Sequence, residues 1–419
     1  MAKFIIKGGK PLRGKVKVSG NKNAILPIMA ATVLTQEKCV IKNVPRIKDV
    51  EMMGEILKDI GAQIEGLGTH RLVIDPKNIS KYTLNPELVS KLRASILLLG
   101  PLLARFGRAK MRHPGGCIIG RRAVGTHFDA LLALGAETKV GEEDYESEVK
   151  RSQAANIFLD EASVTATENA MMMASLIPGT TIIDDAASEP HVEDLANFLN
   201  SMGAKIKGAG TNRIKVTGVK KLEGTTHRIL PDYMDIGTFA VVAAVTKGKI
   251  SIVGIREKDL LMILLYLKRM GVEFEIKNDV LKIFPSKLVA PKGKIQTRPW
   301  PGFPTDLMSP LIVLATQARG TTLCHDWMYE SRMFFVDKLI TMGANITFCD
   351  PHRVLVVGPS QLKGKELESP DIRAGMALIV AALCAEGKSV VEKIELVERG
   401  YEEIEERLRA LGANIKRVE

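Results

Sequence analysis

The stretch RHPGGCIIGRR, residues 112–122, brings a thiol, paired glycines and two guanidinium groups together. Cys117 stands between Gly115-Gly116 and Gly120, and Arg121 and Arg122 follow at once. Glycines let a backbone take turn conformations and approach a ligand closely. Neighbouring arginines lower a thiol's pKa and make it reactive. The same residues also read as a Gly-rich surface turn carrying solvated charges. Other candidates sit where long apolar runs begin. SGNKNA (19–24) puts Lys22 and Asn23 before one such run, and a helix N-terminus with a lysine suits an anion. KLRASILL (91–98) places Arg93 before another, where a carboxylate or phosphate would be its natural partner. WPGFPTDLMSP (300–310) confines Asp306 as a helix cap or a general base. PDIRAGMAL (370–378) repeats the arrangement with Asp371 and Arg373, and RGYEEIEERL (399–408) sets Arg399 before a last amphipathic segment. Each of these also reads as capping or charge solvation when taken alone.

The elements that must position these residues follow a sixfold repeat. Six amphipathic stretches end in Gly61, Gly135, Gly203, Gly271, Gly343 and Gly412, each followed by a short strand-like run. The period is roughly 70 residues, and self-similarity of this kind decides architecture before any local reading. The glycine fits a helix stop leading into a strand. Between them lie six strand-like runs: 39–44, 109–114, 180–186, 249–255, 321–327 and 388–394. The apolar runs before these, such as AILPIMAATVL and MALIVAALCA, are hydrophobic all round, which predicts buried helices. The fold class expected is α/β, with helices inside as well as outside. Two domains of three repeats, divided near Ile229-Leu230-Pro231-Asp232, suit ordinary domain sizes. The candidates then fall at helix starts facing one cleft.

Composition narrows the function classes. With 419 residues there is ample material for buried cores, and no apolar run approaches a signal peptide core or a membrane span. Five scattered cysteines without a CxxC argue against structural zinc and a disulfide framework, and for a reducing cytoplasm. Cys324-His325 and Cys349-Asp350-Pro351-His352 lack metal-ligand spacing, so no metal is expected. The net charge of +11 is dispersed, and aromatics are only 5%, which points to small anionic substrates rather than nucleic acid. The run Met171-Met172-Met173 reads as core packing.

Taken together, these residues resemble the UDP-N-acetylglucosamine 1-carboxyvinyltransferase (UDP-GlcNAc enolpyruvyl transferase) family. The resemblance rests on SGNKNA, LRAS with LGPLLARFG, the cysteine loop, EPHVEDLANFLNSMGAKI, PGFPTD, the E-x-R at Glu330–Arg332, and RGYEEIEERLRALGANI, and spans nearly the whole chain. It implies two inside-out α/β domains of three repeats, with buried helices surrounded by sheets and outer helices. Residues 21–229 would carry the cysteine loop, and 1–20 with 230–419 would form the second domain. It implies transfer of the enolpyruvyl group of phosphoenolpyruvate to the 3-hydroxyl of UDP-N-acetylglucosamine, without a cofactor and with release of phosphate. That reaction is the first committed step of peptidoglycan synthesis. Lys22, Arg93, Arg122 and Arg399 would hold phosphoenolpyruvate, Cys117 would be the general acid, and Asp306 the base. Asn23 and Asp371 would line the reacting centre, with Ser163, Val164, Thr165 and Met328 on the acceptor side. The chain departs from the usual family pattern at Gly125, Glu161, Thr165 and Tyr233, where the family carries aspartate, lysine, glycine and arginine. Those departures keep open the same transfer onto another anionic or nucleotide acceptor, and a non-catalytic sugar-nucleotide-binding relative.

Overall fold

The computed structural model of the chain describes residues 2–115, 120 and 123–419. Cys117 and Arg122 lie outside the described residues. Two compact units are formed, one by residues 2–19 and 231–419, the other by residues 20–115 and 123–230. Each has its own core of three buried helices.

In the second unit these helices are α1 (Lys22–Ala31), α2 (Leu99–Phe106) and α3 (Val164–Ala174). In the first they are α4 (Tyr233–Val245), α5 (Met308–Gln317) and α6 (Ile372–Cys384). All thirteen residues of α4 are buried, as the all-round apolar pattern requires, and Met171, Met172 and Met173 pack in the core on α3. Contact between buried helices is close. A Cβ at Gly100 would lie 2.5 Å from the Asn169 carbonyl oxygen, and the Gly100 amide donates to Asn169 Oδ1 at 2.7 Å. The outer helices, such as Lys48–Asp59 and Pro190–Ser201, are amphipathic and end as expected. Gly61, Gly135, Gly203, Gly271, Gly343 and Gly412 all have φ between 78° and 116°, where a Cβ is strained.

Each buried helix leads into a strand that joins a small sheet. Cys39–Lys42 pairs antiparallel with Arg71–Asp75, which pairs with Gln63–Glu65. On its other side Cys39–Lys42 is parallel to Thr226–Arg228. Lys249–Val253, after α4, is likewise parallel to Arg13–Lys17. The strand before α1 therefore completes the sheet after α4, and the strand before α4 completes the sheet after α1. Three other repeats take this parallel strand from just before their own helix, as Ile295–Gln296 does beside Gly320–His325, and in the α2 repeat a single bridge between Thr83 and Lys110 stands in its place. In the last repeat Lys3–Lys7 fits between Lys388–Glu392 and Asn414–Val418. The N-terminal strand there takes the place that a hairpin strand holds elsewhere. Among the described residues no helix is long and apolar enough to cross a membrane.

Candidate active site

Several of the candidate residues lie at or just before the starts of the buried helices, and the two units differ in charge there. In the unit of residues 20–230 the starts carry Lys22, Arg93 and the Ser163-Val164-Thr165 run. In the other they carry Asp232, Asp306 and Asp371.

Lys22 opens α1. Its cap is Asn21, whose Oδ1 accepts from the Ala24 amide at 3.0 Å, so Asn23 is not the capping residue that the sequence suggested. Asn21 is set back far enough to receive that amide, whereas Asn23 is already inside the helix. Lys22 Nζ lies 2.9 Å from Asp49 Oδ2, with both side chains mostly buried. Arg93 does not begin an α-helix directly. It starts a 3-10 turn, Arg93–Leu98, that leads into α2, and its guanidinium donates to the Pro114 carbonyl at 3.4 Å. Its charge also acts on His127. Burial first, and then Arg93, hold that imidazole down at about 4, so it is neutral at physiological pH. His127 Nε2 meets Thr165 Oγ1 at 2.7 Å.

Ser163 precedes α3 without a side-chain cap; its carbonyl accepts from the Thr167 amide at 3.0 Å and hydroxyl at 2.8 Å. Glu161, two residues earlier, is held above the usual carboxylate range by burial and by the Asp160 charge. The other departures have plain structural settings. Tyr233 is fully buried beside Trp300, with ring centroids 5.5 Å apart, a place unsuited to an unpaired arginine. Gly125 opens the helix Gly125–Ala133, and nothing lies within 4 Å of where its Cβ would be, so no local crowding requires glycine there.

Asp306 also lies on a 3-10 turn, Thr305–Leu307, before α5, and is not the N-cap residue of either. Its Oδ1 accepts from Arg332 Nη2 at 3.1 Å and its Oδ2 from Arg373 Nε at 3.0 Å. Both guanidinium groups are buried, and the neighbouring carboxylates hold them charged against that burial. The sequence left Asp306 open as a cap or a base, and the cap of the next buried helix is a different carboxylate. Asp371 takes that role instead for α6: Oδ1 accepts from the Arg373 amide at 2.8 Å and the Ala374 amide at 3.0 Å. The Asp371 cap thus anchors the backbone of the arginine that grips Asp306. Arg399 ends the 3-10 turn Ile394–Arg399, five residues before the first residue of the outer helix Ile404–Ala410 rather than at its start. The Met328 amide donates to Asp326 Oδ1 at 3.1 Å.

Two carboxylates escaped the sequence reading. Asp49 is 27 positions from its partner Lys22, and Asp326 follows an ordinary strand, so neither spacing carries a signal. The unit of residues 20–230 thus offers cations at its buried helix starts, and the unit of residues 231–419 offers a carboxylate held by two arginines. Among the described residues no cluster of three or more His, Cys, Asp or Glu is set to hold a metal.

Comparison with known proteins identifies the family. The EPSP synthase (3-phosphoshikimate 1-carboxyvinyltransferase) family matches residues 6–408. A UDP-N-acetylglucosamine 1-carboxyvinyltransferase of Treponema denticola is 47% identical over 424 residues, covering 99% of each chain. One from Bradyrhizobium diazoefficiens is 48% identical over 423 residues, covering 99% of this chain and 98% of the relative. Among solved structures, the enolpyruvyl transferase NikO from Streptomyces tendae superposes with a TM-score of 0.89 at 24% identity, covering 100% of this chain and 99% of that one. EPSP synthase from Acinetobacter baumannii gives 0.77 at 19% identity, with both chains fully covered. Near-identical length, identity close to one half along the whole chain and a shared fold lead to one conclusion: the chain belongs to the UDP-N-acetylglucosamine 1-carboxyvinyltransferase family.

Proposed function

We propose that this protein transfers the enolpyruvyl group of phosphoenolpyruvate to the 3-hydroxyl of UDP-N-acetylglucosamine and releases phosphate, the first committed step of peptidoglycan synthesis in the cytoplasm. The observation that carries the reading is Asp306, a carboxylate fixed by two buried arginines at the start of a buried helix. Cys117 protonates the methylene carbon of phosphoenolpyruvate, which leaves an oxocarbenium-like centre on the adjacent carbon. The sugar hydroxyl attacks that centre while Asp306 takes its proton. The resulting ketal loses a methyl proton and phosphate, and the enol ether remains.

Lys22, Arg93, Arg122 and Arg399 hold the carboxylate and phosphate of the donor, because a polyanion needs several cations at close range. Asn23 and Asp371 line the reacting centre. Ser163, Val164 and Thr165, at the α3 start, and Met328 bind the acceptor. The test is phosphate release from phosphoenolpyruvate on addition of UDP-N-acetylglucosamine, with the enolpyruvyl product identified by mass. Absence of both phosphate and product with pure protein rejects the proposal.

A further inference from the structure

Asp326 lies just past the strand Gly320–His325 and is wholly buried. Its Oδ1 accepts from Thr297 Oγ1 at 3.1 Å and from the Met328 amide at 3.1 Å. Its Oδ2 accepts from Thr305 Oγ1 at 2.5 Å. Thr305 is the residue before Asp306 and opens the 3-10 turn that carries it. The Asp326 backbone is tied as well: its amide donates to the His352 carbonyl at 2.9 Å, and its carbonyl accepts from His352 Nδ1 at 2.8 Å. Arg332, which donates to Asp306, also attracts the Asp326 carboxylate. One buried carboxylate thus ties Thr297, Thr305 and the Met328 backbone together, and of these Thr305 adjoins Asp306.

A buried carboxylate is an expensive way to supply hydrogen-bond acceptors, since neutral groups can do the same with less desolvation. Burial does push the Asp326 carboxyl up, against the pull of Thr305 and Arg332. We propose that Asp326 is a positioning residue for the transfer: through Thr305 and Arg332 it holds the Asp306 carboxylate where it takes the proton from the acceptor hydroxyl. The inference rests on the reading of Asp306 as the base. It adds an anchor outside the residues that meet the substrates, and it explains why a charge is kept in the core at this point. The Met328 amide on the same carboxylate links the base to the acceptor side, so one group sets both.

The experiment is a double-mutant cycle on Asp326 and Thr305, with Thr297→Val as control. Thr305→Val removes the hydroxyl and keeps the shape. It lowers kcat by about tenfold or more, since small displacements of a reacting group have large effects on rate, while KM for phosphoenolpyruvate and the melting temperature stay near wild type. Thr305→Ser restores kcat. Thr297→Val, which meets the same carboxylate away from the base, leaves kcat within about threefold of wild type. Asp326→Asn lowers kcat at least as far as Thr305→Val, and the double variant is little worse than Asp326→Asn. A wild-type kcat in Thr305→Val, or losses that simply multiply in the double variant, overturns the positioning role. So does an equal loss of kcat in Thr297→Val. If Asp326→Asn fails to fold, the three threonine variants still decide. Wild-type turnover separates the two claims: an active wild type with an unimpaired Thr305→Val rejects positioning alone, and an inactive wild type rejects the functional reading with it.

Discussion

Asp306 Oδ2 accepts from Arg373 Nε at 3.0 Å, which joins the starts of α5 and α6, two buried helices of neighbouring repeats. Arg373 also lies over the Tyr401 ring, 5.2 Å from its centroid, and Arg332 grips the other oxygen of Asp306. Fixed charged donors on two sides hold the carboxylate in one orientation.

Asp306→Asn removes both the base and the counter-charge of two buried guanidinium groups. Turnover falls by at least about 10²-fold, because an amide cannot take the hydroxyl proton. Stability falls as well, on the order of 2 kcal/mol, below the usual loss for a broken buried pair because the Asp306 side chain is 25% exposed. Steady-state kinetics and denaturant unfolding measure the two effects. A variant that retains wild-type kcat rejects the base assignment.

The cysteines divide by environment. Burial pushes the Cys39 thiol up to about 11 and the Cys324 and Cys384 thiols up to about 12. At neutral pH these three resist alkylation. Cys349 is exposed and labels slowly, whereas Cys117, between arginines in the sequence, labels first. Peptide mapping after brief iodoacetamide treatment reads the order. An epoxide phosphonate such as fosfomycin inactivates the protein through Cys117 alone. Inactivation that survives Cys117→Ser contradicts the assignment.

His127 makes stability depend on pH. Its folded-state value is about 4 against an ordinary 6.5. Between those values the unfolded chain binds the extra proton, so the contribution is complete above pH 6.5 and is lost as pH falls toward 4. The full span amounts to about 3 kcal/mol as an upper bound. His127→Gln removes this part of the acid destabilisation. Unfolding free energies of the two proteins converge as pH is lowered through this window. Parallel curves would show that the imidazole titrates normally.

Glu161 stands where the family pattern has a lysine, close to the run at 163–165 proposed to bind the acceptor. A negative charge near a diphosphate weakens its binding by on the order of 1 kcal/mol. Glu161→Lys therefore binds UDP-N-acetylglucosamine at least about fivefold more tightly than wild type, as titration calorimetry measures. Equal affinities would mean that other cations already neutralise the diphosphate.

Much of the fold was legible along the chain, because it is decided over distances of a few residues. All-round hydrophobicity of the runs that became α1 to α6 marks helices with no water-facing side, and all six are buried. The six repeat glycines lie at positive φ, where a side chain is strained and glycine is the easiest residue to place. Lys22, Arg93, Asp306 and Asp371 could be picked out because each sits beside such a helix start. Their partners could not. Asp49 meets Lys22, and Arg332 and Arg373 meet Asp306, only through packing between segments far apart in sequence. The cap at Asn21 instead of Asn23 turned on the local helical geometry. The exchange of Arg13–Lys17 and Thr226–Arg228 between sheets, and the entry of Lys3–Lys7 into the last repeat, were also decided in three dimensions. Strand alternation says which face of a strand is buried but not which distant edge will complete its backbone hydrogen bonds, so only the folded chain could choose the partners.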